Sequence, residues 1–154
     1  MQGDLHAVEN CQRAIRLDLA ALERFLLSVN RELGLKRGSA FVRFVTDEEM
    51  TRLNHTFRKK RKTTDVLSFP SETRSRPATL RRRSKTVRGS FLGDIAISPS
   101  VARRNAKTYG RTTSKEICIL ILHGVLHLLG YDHETDRGEM ERVEATLRRR
   151  LRLS

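Results

Sequence analysis

The sequence predicts an α+β fold, a small mixed β-sheet of about four strands covered by about five helices. Three observations lead to this class. Short β-branched and aromatic runs recur between longer stretches with helical periodicity. Ser or Thr followed by Glu or Pro marks several helix starts, and glycine marks several ends. The length of 154 residues suits one core, so residues 1–154 are predicted to form a single domain.

The first half of the chain predicts two strands and two helices. LHAVEN (residues 5–10) is a short first strand, and the amphipathic stretch after it is a helix ended by Gly34. AFVRFVT (residues 40–46) alternates in the manner of a half-buried strand. Thr46 and Glu49 then form a capping box that begins a second helix. A strand, helix, strand order implies a parallel pair with a right-handed crossover.

The second half adds two strands separated by a long polar segment. DVLSF (residues 65–69) is closed by Pro70, and LGDIAIS (residues 92–98) is the fourth strand. Between them, residues 71–90 are rich in Ser, Thr and Arg and exceed an ordinary connection, which indicates a basic loop. Asp65 is interpreted as a capping residue rather than a catalytic group.

Three further helices complete the chain. Ser98 followed by proline begins the first, and Thr113 with Glu116 forms a capping box for the second, which ends at Gly130. Residues 136–151 form the last helix, with apolar side chains on one face and arginines on the other.

The charge distribution is the strongest compositional feature. Thirty-one Lys and Arg residues against 18 Asp and Glu residues give a net charge of +13. The excess is concentrated in RKKRK (residues 58–62) and in residues 73–88, which hold seven basic side chains and no acidic one. Such a field attracts polyanions, and RNA or DNA is the expected polyanion. A basic but merely solvated surface is the alternative.

The sequence predicts no membrane segment and no secretion signal. The longest apolar run, Ile117–Val125, is interrupted by His123 and is far shorter than a bilayer span. MQGDLHAVEN has neither a basic start nor an apolar core, so cytoplasmic residence is expected. Cys11 and Cys118 are too far apart for a thiolate cluster and are predicted to be unpaired thiols.

Three of the five histidines lie within HGVLHLLGYDH, residues 123–133. His123 and His127 are four residues apart and share one face of a helix. Gly130 allows the chain to turn, which lets His133 return as a third ligand. Three neutral imidazoles suit one Zn²⁺ ion and leave one coordination position open, the mark of a catalytic site. We therefore predict a metal site at the end of a central helix.

Other interpretations of these polar residues stay open. Nickel or another divalent ion would also fit the ligands. A lone histidine is more often hydrogen-bonded in the fold than ligating, and His6 and His55 are assigned to that class. Asp132 either orients an imidazole or is a solvated turn residue, and Asp94 either caps a turn or supports the site in the same way.

The histidine spacing equals that of a zinc protease helix, but Gly124 stands where such a protease carries its general-base glutamate. Amide hydrolysis needs that base, so a metalloprotease would have to draw it from elsewhere in the chain. Phosphodiester cleavage instead needs a metal and cations that offset negative charge in the transition state. Arg58 and the basic loop supply such cations, which favours a phosphodiester substrate.

HGVLHLLGYDH resembles the signature H-G-x-L-H-L-x-G-Y-D-H of the bacterial YbeY family of endoribonucleases and rRNA maturation factors. NHTFRKKRKTTDVLSFP, residues 54–70, is similar to the family segment N-x-x-[YF]-R-x-K-x-x-x-T-D-V-L-S-F-P, and LGDIAIS is similar to L-G-D-I-x-I-S. The blocks occur in the same order and cover residues 54–133. Residues 71–90 depart from the family by being longer and more basic.

The resemblance implies one zinc ion held by His123, His127 and His133, and an RNA-phosphate contact from Arg58. It also implies 16S rRNA maturation and ribosome quality control. The implied partners are rRNA, the small ribosomal subunit, its assembly GTPase and a small-subunit ribosomal protein. We predict Arg58, His123 and His127 to be catalytic. The predicted RNA-binding residues are Arg58, Lys59, Lys60, Arg61 and Lys62.

Three functions compete. The first is a zinc-dependent, single-strand-specific endoribonuclease acting in rRNA maturation, with a metal-bound water or a ribose 2′-hydroxyl as nucleophile. The second is a non-catalytic ribosome-assembly factor, in which the metal stabilises the fold and basic faces bind rRNA. The third is a metalloprotease with a displaced base, which Gly124 disfavours. The open coordination position favours the first.

Overall fold

The computed structural model describes residues 6–58, 64–71 and 91–153. Within these ranges there are four strands and five helices. The strands are β1 (Val8–Asn10), β2 (Ala40–Phe44), β3 (Val66–Pro70) and β4 (Gly93–Ile97). The helices are α1 (Leu19–Glu32), α2 (Asp47–Arg58), α3 (Pro99–Thr108), α4 (Thr113–Leu128) and α5 (Glu139–Arg150).

The four strands form one mixed sheet in the order β1-β2-β4-β3. β1 pairs with β2 in parallel, and α1 lies between them in the chain, which agrees with the predicted parallel pair. β2 and β4 are also parallel, whereas β3 runs antiparallel to β4 and forms an edge. This architecture confirms the predicted α+β class.

The two faces of the sheet are covered unequally. Ile95 and Ile97 of β4 join a large buried cluster that includes side chains from α1, α3, α4 and α5. Between them, Ala96 points to the other face and joins a small cluster with Met50 of α2 and Leu67 of β3. Successive side chains of a strand alternate between faces, so α2 covers the face opposite to the other four helices. We call these the thick face and the thin face.

Helix α4 occupies the centre of the thick face. Ten of its 16 residues are buried, and a helix that is apolar on nearly all sides is stable only when it is surrounded by protein. Its contacts reach β3, β4, α1, α3 and α5. The C-terminal half of this buried helix carries His123 and His127, so their backbone is held by the packing of the core.

The predicted start of α4 is wrong by one residue. Thr112, not Thr113, is the N-cap, and its side chain accepts a hydrogen bond from the backbone N–H of Lys115. Glu116 does not complete a capping box, because it is buried and its carboxylate accepts a hydrogen bond of 2.6 Å from Arg111. A buried carboxylate is stabilised far more by a guanidinium than by one backbone N–H, so the ion pair with Arg111 overrides the capping motif.

Two other predicted helix starts are partly right. Thr46 accepts a hydrogen bond from the backbone N–H of Glu49, but the Glu49 carboxylate pairs with Arg52 instead of returning to the cap. The last helix begins at Glu139 rather than at residue 136. Asp136 instead accepts hydrogen bonds from the N–H groups of Gly138 and Met140, so it caps the first turn from outside the helix.

Several predictions fall on residues outside the described ranges. These are Lys59, Lys60, Arg61 and Lys62 of the RNA-binding set and all of the predicted basic loop except Ser71. In the part of the chain that the structure describes, none of the helices combines the length and apolar character needed to cross a lipid bilayer.

Candidate metal centre

The structure brings the three predicted histidine ligands together. The Nε2 atoms of His123 and His127 lie 3.0 Å apart, as expected for side chains one helical turn apart that point to the same place. The ring centroid of His133 lies 5.7 Å from each of the other two. One nitrogen from each ring lies within 4.8 Å of the others. The helix therefore supplies a close pair, and the following turn supplies the third ring.

The turn that returns His133 depends on Gly130. The Gly130 N–H donates to the carbonyl of His127 at 2.9 Å, and the Tyr131 N–H donates to the carbonyl of Leu126 at 3.1 Å. This paired bonding ends a helix with one left-handed residue, and Gly130 has φ +101°. The absence of a Cβ makes this conformation accessible, so the chain reverses within three residues of the second ligand.

The donor set fits a divalent metal ion. Zinc–nitrogen bonds of about 2.0–2.1 Å in a tetrahedron place ligand nitrogens about 3.3 Å apart, close to the 3.0 Å separation of the helical pair. The 4.8 Å spread of all three nitrogens exceeds this by more than 1 Å. His133 is exposed in the turn, so its side chain has room to make that adjustment. The three imidazoles are thus suited to hold an ion such as zinc, with their assignment as ligands still a prediction.

The surroundings of His127 lower its pKa and favour the neutral ring that can bind a metal ion. Burial lowers its pKa, and the neighbouring His123 and His133 lower it further, against smaller opposing effects of Tyr131 and Asp132. A lowered pKa means that the ring is neutral at pH 7, and only a neutral imidazole offers a lone pair to a metal.

Sequence reasoning missed Glu144. Its Oε1 lies 3.2 Å from Nδ1 of His123, although the two residues are 21 positions apart in the chain. Burial alone would raise the pKa of the Glu144 carboxyl, but the hydrogen bond and charge of His123, with Arg148, outweigh burial and lower the pKa overall. The glutamate is therefore an anion that faces the nitrogen of His123 directed away from His127. Its only signal in the sequence is its place on the buried face of α5.

The structure explains why a glutamate cannot stand at position 124. A Cβ added to Gly124 would lie 2.9 Å from both Cδ1 and Cγ2 of Ile95, and Ile95 is fully buried in β4. Ser68 of β3 also donates a hydrogen bond of 3.1 Å to the Gly124 carbonyl. Position 124 thus faces the sheet, not the histidines. The missing side chain of Gly124 lets α4 pack closely against the strands.

Arg58 belongs to the helix that packs on the face of the sheet opposite to the histidine helix. It is the last residue of α2, on the thin face, and its side chain is exposed. Beside it, Phe57 is 63% exposed, and its ring meets the edge of Phe69 with centroids 4.9 Å apart. Phe69 belongs to the edge strand β3, whose Ser68 contacts α4. The assignment of Arg58 to the catalytic group stays a prediction.

The aspartates have structural contacts. The Asp65 carboxylate accepts a hydrogen bond from Asn105 at 3.1 Å, and its carbonyl accepts one from the Ser98 N–H, which agrees with a structural role. Asp132 caps the turn after α4, because its carboxylate accepts from the Glu134 N–H. Asp94 is exposed on β4, between Phe41 and Phe69 in the sheet register.

Comparison with known proteins decides which family carries this arrangement. The family model described as Endoribonuclease YbeY matches residues 8–152, nearly the whole chain. The chain belongs to this family. A YbeY endoribonuclease of Solibacter usitatus is 46% identical over 134 residues, covering 86% of this chain and 79% of that protein. One of Sulfurovum is 44% identical over 135 residues, covering 86% and 82%.

A solved structure is similar to this chain in fold. The solution structure of a Thermotoga maritima protein superposes with a TM-score of 0.57 at 25% sequence identity. The superposition covers 94% of this chain and 87% of that protein. The predicted resemblance is confirmed over residues 8–152, which include the first strand and last helix that the quoted motifs did not reach.

Proposed function

We propose that the protein is a metal-dependent endoribonuclease that cleaves single-stranded RNA, and that its substrate is ribosomal RNA in the course of 16S maturation. One observation carries the proposal. A cluster of three histidines, within 4.8 Å of one another and partly open to solvent, lies in a chain of the endoribonuclease YbeY family. Membership makes this chain an endoribonuclease, and the cluster is the proposed place where the bond is cut.

Zinc is the proposed ion, held by His123, His127 and His133. Three imidazoles leave a fourth tetrahedral position free, and a bound zinc polarises a phosphoryl oxygen or activates a nucleophile there. Burial of α4 holds two of the rings at the fixed separation of 3.0 Å. The lowered pKa of His127 keeps it from carrying a competing proton at neutral pH. A nuclease needs no carboxylate base at position 124, so Gly124 is compatible with this chemistry.

Phe57 and Arg58 are the proposed contact for the RNA strand. Arg58 offers a guanidinium that matches a phosphate, and Phe57 offers an exposed ring on which a base can stack. Single-stranded RNA is favoured because only unpaired bases are free to stack on a protein ring. The net charge of +13 adds a general attraction for the RNA backbone.

The proposed setting is the cytoplasm, with the small ribosomal subunit, an assembly GTPase and a small-subunit ribosomal protein as partners. The support is the match of HGVLHLLGYDH and the two upstream blocks to a family of rRNA maturation factors. Copurification of 16S precursor with tagged protein, compared with the His127→Ala variant, tests the setting separately from the chemistry.

Cleavage of a single-stranded rRNA fragment tests the proposed activity. Highly purified wild type should cut it, whereas His127→Ala and a chelated wild-type sample should not, and zinc should restore the chelated sample. His55→Ala is the matched control, because His55 is an exposed histidine on α2. Equal cutting by all samples would reveal a contaminating nuclease and would favour the non-catalytic assembly factor, in which the metal serves only the fold.

The RNA contact has its own test. Arg58→Glu should retain the metal but bind RNA more weakly, with a shallower dependence of log K on log salt in a filter-binding titration. Phe57→Ala should weaken binding without changing the salt dependence, because it removes stacking and no charge. RNA binding by Arg58→Glu that equals wild type would remove that residue from the proposal.

A further inference from the structure

Glu144 contacts the histidine cluster from outside the proposed ligand set. Its Oε1 lies 3.2 Å from His123 Nδ1, and its side chain is only 18% exposed. An ionised carboxylate has lone pairs but no proton to give, so in this pair the histidine Nδ1 is the donor. The neutral His123 ring then carries its proton on Nδ1 and leaves Nε2 as a lone pair.

That lone pair points into the cluster. His123 Nε2 is the atom that lies 3.0 Å from His127 Nε2. The ring of His123 is therefore held at Nδ1 by the glutamate, and its Nε2 faces the other histidines of the cluster. A carboxylate behind a ligating imidazole fixes its tautomer and orientation and increases its basicity.

Helix α5 holds Glu144 in place. Met140 and Leu147 are buried in the large core cluster and lie four residues before and three residues after Glu144. Residues at these spacings share one helix face, so the packing that buries Met140 and Leu147 also directs Glu144 towards α4. α5 is in contact with α4.

We propose that Glu144 is a positioning residue for His123, so that the last helix of the chain tunes the metal affinity of a site carried by α4. The proposal deepens the proposed function, since it rests on the same histidines as metal ligands. It assigns α5 a task beyond covering the sheet.

The test compares three variants with the wild type. Glu144→Ala removes the acceptor, and Glu144→Gln keeps an acceptor oxygen but removes the charge. Glu141→Ala is the control, because Glu141 is an exposed glutamate on the same helix. Zinc affinity is measured by competition with a chromophoric chelator. The His123 tautomer is measured in metal-free protein by long-range ¹H–¹⁵N NMR, and thermal unfolding in EDTA reports stability.

Glu144→Ala should bind zinc about 10–100-fold more weakly than wild type, Glu144→Gln should lose less, and Glu141→Ala should be unchanged. In metal-free wild type His123 should carry its proton on Nδ1, and Glu144→Ala should lose that preference. A Glu144→Ala protein that unfolds earlier but binds zinc as wild type does would make the residue merely structural and overturn the proposal.

The NMR readout separates this proposal from the proposed function. An Nδ1 proton on His123 that depends on Glu144, in a protein that binds no zinc, would sink the metal centre while leaving the hydrogen bond in place. Tight zinc binding that is lost in His127→Ala but unaffected by Glu144→Ala would leave the metal centre intact and overturn only the role of Glu144.

Discussion

The helical pair and the third histidine are placed by different means. His123 and His127 belong to a buried helix and already lie 3.0 Å apart. His133 follows a turn, is exposed, and would have to move by about 1.5 Å for tetrahedral ligation. The core therefore holds two of the three proposed ligands in place, and a turn governed by one glycine carries the third.

Removing a ligand should have the largest effect. His127→Ala takes away half of the preorganised pair and should lower zinc affinity by more than the roughly 100-fold typical of residues that only support ligands. His133→Ala should lose tight binding too, but leaves a pair on one helix with residual affinity. Isothermal titration with zinc measures both, with His55→Ala as control. A weaker effect of His127→Ala than of His133→Ala would show that the helical pair contributes less to zinc affinity than the histidine in the turn.

Disturbing the contact between α4 and β4 at Gly124 should have the second-largest effect. Gly124→Val places side-chain atoms against Ile95, which is fully buried, and should lower the free energy of unfolding by about 1–3 kcal/mol. Ser114→Val, at an exposed position of the same helix, is the control. Urea unfolding measures both. Adding Ile95→Ala to Gly124→Val should recover part of the loss, and strict additivity of the two changes would contradict the contact.

Straining the turn should have a smaller effect on stability but a selective one on the metal. Gly130→Ala and Gly34→Ala both put a Cβ at a helix end with positive φ, +101° and +68°, and each should cost about 1–2 kcal/mol of unfolding free energy. Only Gly130→Ala should also weaken zinc binding, because Gly34 ends α1 and precedes no ligand. Equal zinc affinity of the two variants would show that His133 does not depend on the turn.

The reactivity of the Cys118 thiol is the mildest probe of α4, the buried helix that carries His123 and His127. Burial raises the pKa of Cys118 in α4 to about 11, so about one molecule in a thousand carries its thiolate at pH 8. Cys11 is exposed, and its pKa is raised less clearly by burial and by Glu9. A disulfide reagent should therefore label Cys11 first. In Cys11→Ser, labelling should rise about tenfold per pH unit up to about pH 10, and an early plateau would mean that α4 opens.

Much of the fold was predictable because local signals and tertiary structure agree. Gly34 and Gly130 end their helices as predicted, and Ser98 caps α3. The predictions erred where a charged partner a few residues away took a side chain away from its predicted capping motif. Glu116 pairs with Arg111 instead of completing a cap.

The candidate site was also predictable only in part. Histidine spacing and the glycine after the helix are properties of neighbouring residues, so the triad could be found from the sequence. Glu144 could not be predicted, because it lies 21 residues from His123 in the chain and no local pattern indicates which imidazole it contacts. Whether Arg58 reaches the histidines is also beyond local pattern, since α2 packs on the thin face of the sheet.

The sequence by itself determined the α+β class, the family motifs, the three clustered histidines and the strong basic charge, because each depends on composition or short-range periodicity. Only the tertiary structure decided why position 124 must be glycine and which carboxylate lies behind His123. Both answers depend on side chains from separate elements that meet only when helices pack on the sheet, at Ile95 for Gly124 and through α5 for His123.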